Sequence, residues 1–215
     1  MPQPQLTDLS DKALSLLDAA EALIAAHGYN GTSIRMVARA AGVNVAMISY
    51  YFGSKEKMME ALVAHRISAI KISLEEIVND TGMADLDKML AVADVFVLQI
   101  LNNQPFHHIM AHEKWIHEQE HTSPMILAAK RANYALIKKL IDAGISKGVF
   151  HKNVDPVMLF MTLSGTVNQV MTRQRFMRKA YGQEEKSEEA FQKFIQQKLR
   201  HHFQSLFEAM LTNEN

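Results

Sequence analysis

No cysteine occurs anywhere in the 215 residues. Disulfide scaffolds, thiol nucleophiles, cysteine-ligated zinc and iron–sulfur clusters are therefore excluded, and the absence fits a reducing compartment. Glycine and proline are scarce, at nine and five, which removes the collagenous and low-complexity classes. Neither sign of charge dominates, because 23 Lys+Arg balance 23 Asp+Glu. Any basic surface must then be a local one. Long apolar runs are missing too: the most hydrophobic stretches are interrupted by Asp94, Gln99, Thr162 or Asn168, short of the roughly 20 residues a membrane span needs. The start, Met1-Pro2-Gln3-Pro4-Gln5, is polar and uncharged, without the basic and apolar segments of a signal peptide. A soluble cytoplasmic protein with no membrane partner is expected.

Apolar residues at 48% and charged residues at 21% describe an ordinary globular chain, long enough for one large domain or two small ones. The few glycines and prolines fall between segments of helical periodicity, and strand alternation is absent over any useful length. The chain is expected to be all-α, with about nine helices. The first spans about 11–27, capped by Ser10, carrying an apolar stripe of Leu14, Leu17, Ala20, Leu23 and Ile24, and ended by Gly28. Short helices at about 33–40 and 44–50 follow, then one from the Ser54 cap to about Val78. Asp80-Thr81-Gly82 breaks the chain before a helix over about 85–102. Pro105, Pro124 and Pro156 each sit where a first helical turn tolerates proline, opening helices to about His121, 146 and Lys179. Ser187 caps the last, with Glu188 and Glu189 in its first turn, ending near Leu211.

Local charge asymmetry appears between Thr32 and Lys57, where Arg35, Arg39, Lys55 and Lys57 face only Glu56. Within this window, two short helices flank a turn holding Gly42, with Ala38 placed for close approach and Ile34, Val37, Val43 and Ile48 as a small core. That is the anatomy of a helix-turn-helix, whose second helix enters the DNA major groove.

The longer stretch from Asp11 to Leu62 resembles the N-terminal domain of the TetR (tetracycline-repressor-like) family of bacterial transcriptional regulators. The matching elements are His27-Gly28-Tyr29, Gly31-Thr32-Ser33-Ile34-Arg35, Val37-Ala38-Arg39-Ala40-Ala41-Gly42-Val43, Ile48-Ser49-Tyr50-Tyr51-Phe52 and Ser54-Lys55-Glu56-Lys57-Met58. The resemblance implies a tail over 1–10, a DNA-binding domain over 11–66, and an effector-binding and dimerisation domain over 67–215. It also implies residue roles. Thr32 and Ser33 start the second helix, where hydroxyls and backbone N–H groups suit a phosphate, and one of the two is expected to serve as a cap. Arg35 is placed to reach a base edge. Asn44 caps the recognition helix or turns toward adenine, while Val45, Ala46, Met47 and Ser49 project into the groove. Family members often carry lysine at the position of Val45 and tyrosine at that of Ser49. The small, apolar surface here therefore implies reliance on thymine methyl contacts and DNA shape. Tyr50 and Tyr51 can place hydroxyls on phosphates, Phe52 packs behind the recognition helix, and Lys55 matches the family's phosphate-binding lysine.

In the remainder, Val157 to Val167 is apolar on more than one side, so that helix is expected to be buried on both. The family pattern makes it part of a homodimer interface, with Ser164, Gly165 and Val167 as candidate contacts. Phe96, Met110, Tyr134 and Met161 are candidates for the lining of an apolar effector pocket, although buried methionines and aromatics are more often plain core. Met89, Met125, Met158, Phe106 and Trp115 share that ambiguity.

His107, His108, His112, His117 and His121 cluster beside Glu113, Glu118 and Glu120, and i, i+4 histidines have ligand spacing. At about 100° per residue, however, His108 and His112 lie roughly opposite His117 and His121. No metal site and no cofactor is assigned on this basis.

The expected function is a homodimeric transcriptional regulator of double-stranded DNA, a repressor released from a palindromic operator by a small apolar effector. A helical enzyme or a metal-sensing helical protein is the alternative. Against the enzyme stand the missing cysteine and the absence of a Gly-rich phosphate loop and a Gly-x-Ser-x-Gly turn.

Overall fold

The computed structural model of the chain describes residues 9–112 and 123–212. Among them are eleven helices and no strand: α1 Asp11–Gly31, α2 Ile34–Ala40, α3 Ala46–Tyr51, α4 Lys55–Ser68, α5 Lys71–Asn79, α6 Asp85–Asn102, α7 Gln104–His112, α8 Pro124–Ser146, α9 Pro156–Thr172, α10 Gln174–Ala180 and α11 Glu188–Leu211. Their starts follow the chemistry read from the sequence. Side-chain oxygens of Ser10, Ser33, Ser54, Asp155 and Ser187 each accept a backbone N–H of the helix that follows, relieving donors that a helix leaves without a partner.

Two expected helices are interrupted. The segment over 55–78 divides at Ala69-Ile70 into α4 and α5. The segment over 156–179 divides at Arg173 (φ −108°, ψ 30°) into α9 and α10. Neither break contains proline or glycine. At the second, the Thr172 hydroxyl donates back to the carbonyls of Asn168 and Gln169, a local bond that bends helices. The expected histidine cluster lies largely outside the described residues, as does Trp115.

The chain forms two compact units. The first comprises residues up to 69 together with 104–131. Its core joins Leu16, Leu17, Ala20 and Ile24 of α1 to Val37, Ile48, Met58, Met59, Leu62 and Val63, and also to Phe106 and Ile109 of α7 and Ile126 of α8. Each of the larger side chains among them contributes about 1.5–3 kcal/mol by leaving water. Polar clamps hold α4 in place. Arg66 donates to Glu21 on α1 at 2.6 Å and to Asp18 at 2.9 Å. The buried Glu60 carboxylate accepts from Ser123 at 3.0 Å and from Lys57 at 3.0 Å.

The second unit comprises 70–103 and 132–215. In it α11 buries a residue at nearly every fourth position, Phe191, Ile195, Leu199, Phe203, Phe207 and Leu211, the single stripe of an amphipathic helix. α9 likewise buries Leu159, Leu163, Val167 and Met171, and both stripes join Met89, Val92, Val97 and Ile100 of α6 in one core. The other side of α9 is exposed, so the expectation that this helix is covered on both sides does not hold within one chain. Among the described residues no helix is long and apolar enough to cross a membrane.

Candidate nucleic-acid interface

The turn between α2 and α3 rests on Gly42, whose φ of 66° lies in the left-handed region that a β-carbon disfavours. This lets Val43 N–H return to the Ala38 carbonyl at 2.9 Å, closing α2 and redirecting the chain. Asn44 then caps the recognition helix, its Oδ1 accepting Ala46 N–H at 2.8 Å.

The two faces of the α2–α3 pair separate cleanly. Val37, Ala38, Ile48 and Phe52 are buried, while Met47 and Tyr51 pack partly against the same core. Arg35, Arg39, Ser33, Asn44, Val45, Ala46 and Ser49 are exposed, and Tyr50 is 74% exposed with its ring edge-to-face against Tyr51 at 5.0 Å. An exposed helix carrying small side chains, with two arginines on the neighbouring helix, suits insertion into a major groove.

Two expected phosphate contacts are placed differently from the simple picture. Thr32 is buried, and its hydroxyl donates to the Gly28 carbonyl at 3.0 Å. Ser33 is the cap, accepting Met36 N–H at 3.3 Å. The hydroxyl at the surface is thus that of Ser33. Lys55, half-buried at the start of α4, is held by Tyr29: its Nζ donates to the Tyr29 carbonyl at 2.5 Å and lies 3.9 Å from the ring centroid. The Tyr29 hydroxyl donates to Glu56 Oε1 at 3.3 Å. Burial, and then the neighbouring Glu56 carboxylate, raise the pKa of that hydroxyl above its ordinary value, so it remains a donor. Sequence reasoning missed Tyr29, because nothing in a spacing of 26 residues signals the contact.

Of the four pocket candidates, Phe96 and Tyr134 are brought together, both edge-to-face on Phe160 at 6.0 and 5.8 Å. Met161, the neighbour of Phe160, is 55% exposed, and Met110 packs against the core of the other unit. The missed residue is Phe160. Among the interface candidates, Gly165 is exposed with nothing within 4 Å of where a β-carbon would stand. Ser164 is half-buried and donates to the Phe160 carbonyl. Val167 is 0% exposed in the core of its own unit and has no surface left for a partner. The side of α9 that is open carries Val157, Met158 and Met161. No group of three or more metal-ligating side chains occurs among the described residues.

The first unit carries a helix-turn-helix and the second is helical among the described residues, a combination that points to the class of DNA-binding transcriptional regulators. Residues 16–62 match the model of bacterial regulatory proteins of the tetR family, and residues 86–206 match the tetracyclin repressor-like C-terminal domain. The chain belongs to the TetR family. It is similar to the HTH-type transcriptional repressor NicS of Pseudomonas putida, 27% identical over 143 residues, 65% of this chain and 66% of that protein. It is also similar to the probable HTH-type transcriptional regulator YttP of Bacillus subtilis, 34% identical over 92 residues, 43% of each chain. The matches thus span less than two thirds of either relative. In fold it is similar to the fatty acid degradation regulator FadR of Bacillus halodurans, with a TM-score of 0.73, 20% identity, and coverage of 92% of this chain and 96% of that one.

Proposed function

We propose that the chain is a cytoplasmic, non-enzymatic repressor that binds a palindromic operator as a homodimer and is released by a small apolar effector. Residues 11–66 would carry DNA binding, and 67–215 the effector and dimer contacts. The observation that carries this reading is the exposed face of Val45, Ala46, Ser49 and Tyr50 beside Arg35, backed by a buried core that fixes its position. Lys55, Ser33, Tyr50 and Tyr51 would meet phosphate, Arg35 a base edge, and the small apolar side chains thymine methyls.

Two-fold pairing supplies two recognition helices for successive major grooves. The exposed Met158, Met161 and Gly165, at i, i+3 and i+7 on α9, form one stripe that supports pairing with a second copy. Phe96, Phe160 and Tyr134 offer aromatic surface for an apolar effector. NicS is named a repressor and FadR a fatty acid degradation regulator, and both names agree with the reading. An effector that binds the DNA-incompetent conformation more tightly shifts the population off the operator. The test is a footprint on DNA flanking the protein's own reading frame. A protected inverted repeat that is lost on adding effector is expected, and no protection above that on random DNA would overturn the proposal.

A further inference from the structure

Lys55 has the rotamer freedom of any lysine, and that freedom opposes fixing its ammonium on a phosphate. Here the side chain is already held. The Tyr29 carbonyl accepts one ammonium N–H at 2.5 Å, and the ring presents its negative face at 3.9 Å, the arrangement in which an aromatic ring attracts a cation. The same carbonyl accepts Thr32 N–H at 3.3 Å, so Lys55 on α4 is registered against the start of α2, on which Arg35 is exposed. Gly28, at φ 75°, turns the chain so that the residue after it can present carbonyl and ring together. The hydroxyl completes the arrangement by tying the adjacent Glu56.

We propose that Tyr29 is a positioning residue for DNA binding, its carbonyl and ring face holding the Lys55 ammonium in place for phosphate before DNA arrives. This rests on the reading of Lys55 as a phosphate contact, and the two can fail separately. The experiment is titration of the full chain against a short random-sequence duplex, by fluorescence anisotropy at several salt concentrations. The set comprises the wild type, Tyr29→Phe, Tyr29→Leu, Lys55→Ala and the Tyr29→Leu/Lys55→Ala pair. Lys55→Ala is expected to lower the log–log salt slope by about 0.9 per recognition domain. Tyr29→Phe keeps ring and carbonyl and should bind like the wild type. Tyr29→Leu should weaken binding by about threefold to tenfold per recognition domain when Lys55 is present, and hardly at all in the Lys55→Ala background.

An equal loss from Tyr29→Leu in both backgrounds assigns Tyr29 to packing and overturns the inference while leaving Lys55 on phosphate. An unchanged slope for Lys55→Ala overturns both. Tyr29 is buried, so the leucine variant is paired with a measurement on the wild type. The Lys55 ε-methylene protons, lying over the ring, should resonate upfield of ordinary lysine by NMR. Ordinary shifts would overturn the inference whatever the variants do.

Discussion

The ring of Phe150 lies against the backbone of Gly144 on α8, so close that a β-carbon at position 144 would stand 2.1 Å from Cδ2 and 2.4 Å from Cε2. The Gly144 carbonyl also accepts the N–H groups of Val149 and Phe150, at 3.0 and 3.1 Å. The chain leaving α8 therefore folds back onto the helix at this one residue, and Phe150 is buried there in the core of the second unit. Gly144→Ala must displace a buried ring or part the turn. Destabilisation of about 1–3 kcal/mol is expected by chemical denaturation, and a gain in stability, as helix propensity alone would give, would refute this packing.

Gly165 is the contrasting case. It too lies inside a helix, but nothing approaches its missing β-carbon. Within the protomer Gly165→Ala should be neutral or stabilising by up to about 1 kcal/mol, because alanine orders a helix at less entropic cost. A bulky Gly165→Leu reports on the proposed partner instead. If a second copy packs on this stripe, dimerisation should weaken by about 1–3 kcal/mol while the protomer stays folded. Sedimentation at micromolar concentration reads both, and a monomeric wild type would remove the dimer from the proposal.

His107 on α7 is largely buried, and its Nε2 has no hydrogen-bond partner among the described residues. Burial lowers its pKa from 6.5 to about 4. The neutral form is the one the fold accepts, so the sign is fixed: stability is fully present above the unfolded pKa of 6.5 and is lost as pH falls toward 4. The shift corresponds to roughly 3 kcal/mol between those limits. His107→Leu removes the titration, and the wild-type minus variant difference in unfolding free energy should fall across pH 6.5 to 4. A difference independent of pH would show that His107 charges as readily in the folded protein as in the unfolded one.

Substitutions in the aromatic trio test whether the proposed effector binding can be separated from DNA binding. Replacing Phe96 and Tyr134 by serine removes both rings that lean on Phe160. Effector response should fall while operator affinity in effector-free protein changes little. An equal loss of effector-free operator binding would assign these residues to core packing.

What could be read in the sequence was local. Gly42, the Asn44 cap and the Ser33, Ser54, Asp155 and Ser187 starts act over four residues or fewer, so each announces itself in the order of the letters. The alternation of buried and exposed positions on α3 is equally local. What could not be read depends on small angular differences or distant partners. One residue is about 100° of helix, enough to put Phe160 toward Tyr134 and Met161 into solvent, and a step of two buries Val167 while Gly165 stays open. The division at Arg173 has no proline or glycine to mark it. Tyr29 and Lys55 meet only because α1 turns at Gly28, and a linear pattern carries no trace of that meeting.

Arg35 tests where sequence preference resides. It is exposed one turn into α2, with a planar fork that can donate twice to one guanine. Lys55, held by Tyr29, offers a point charge suited to phosphate. Arg35→Ala should then cost on the order of 1–3 kcal/mol per half-site on the footprinted operator and little on random DNA, with the salt slope nearly unchanged. Lys55→Ala should weaken both DNAs alike and flatten the slope. Titrating both variants on both DNAs at two or more salt concentrations separates the roles. If Arg35→Ala weakens random DNA as much as operator, Arg35 is a phosphate contact. Preference for sequence would then fall to Val45, Ala46 and Ser49 and to the shape of the DNA itself, since no other exposed side chain on α3 except Tyr50 has the reach to read a base edge.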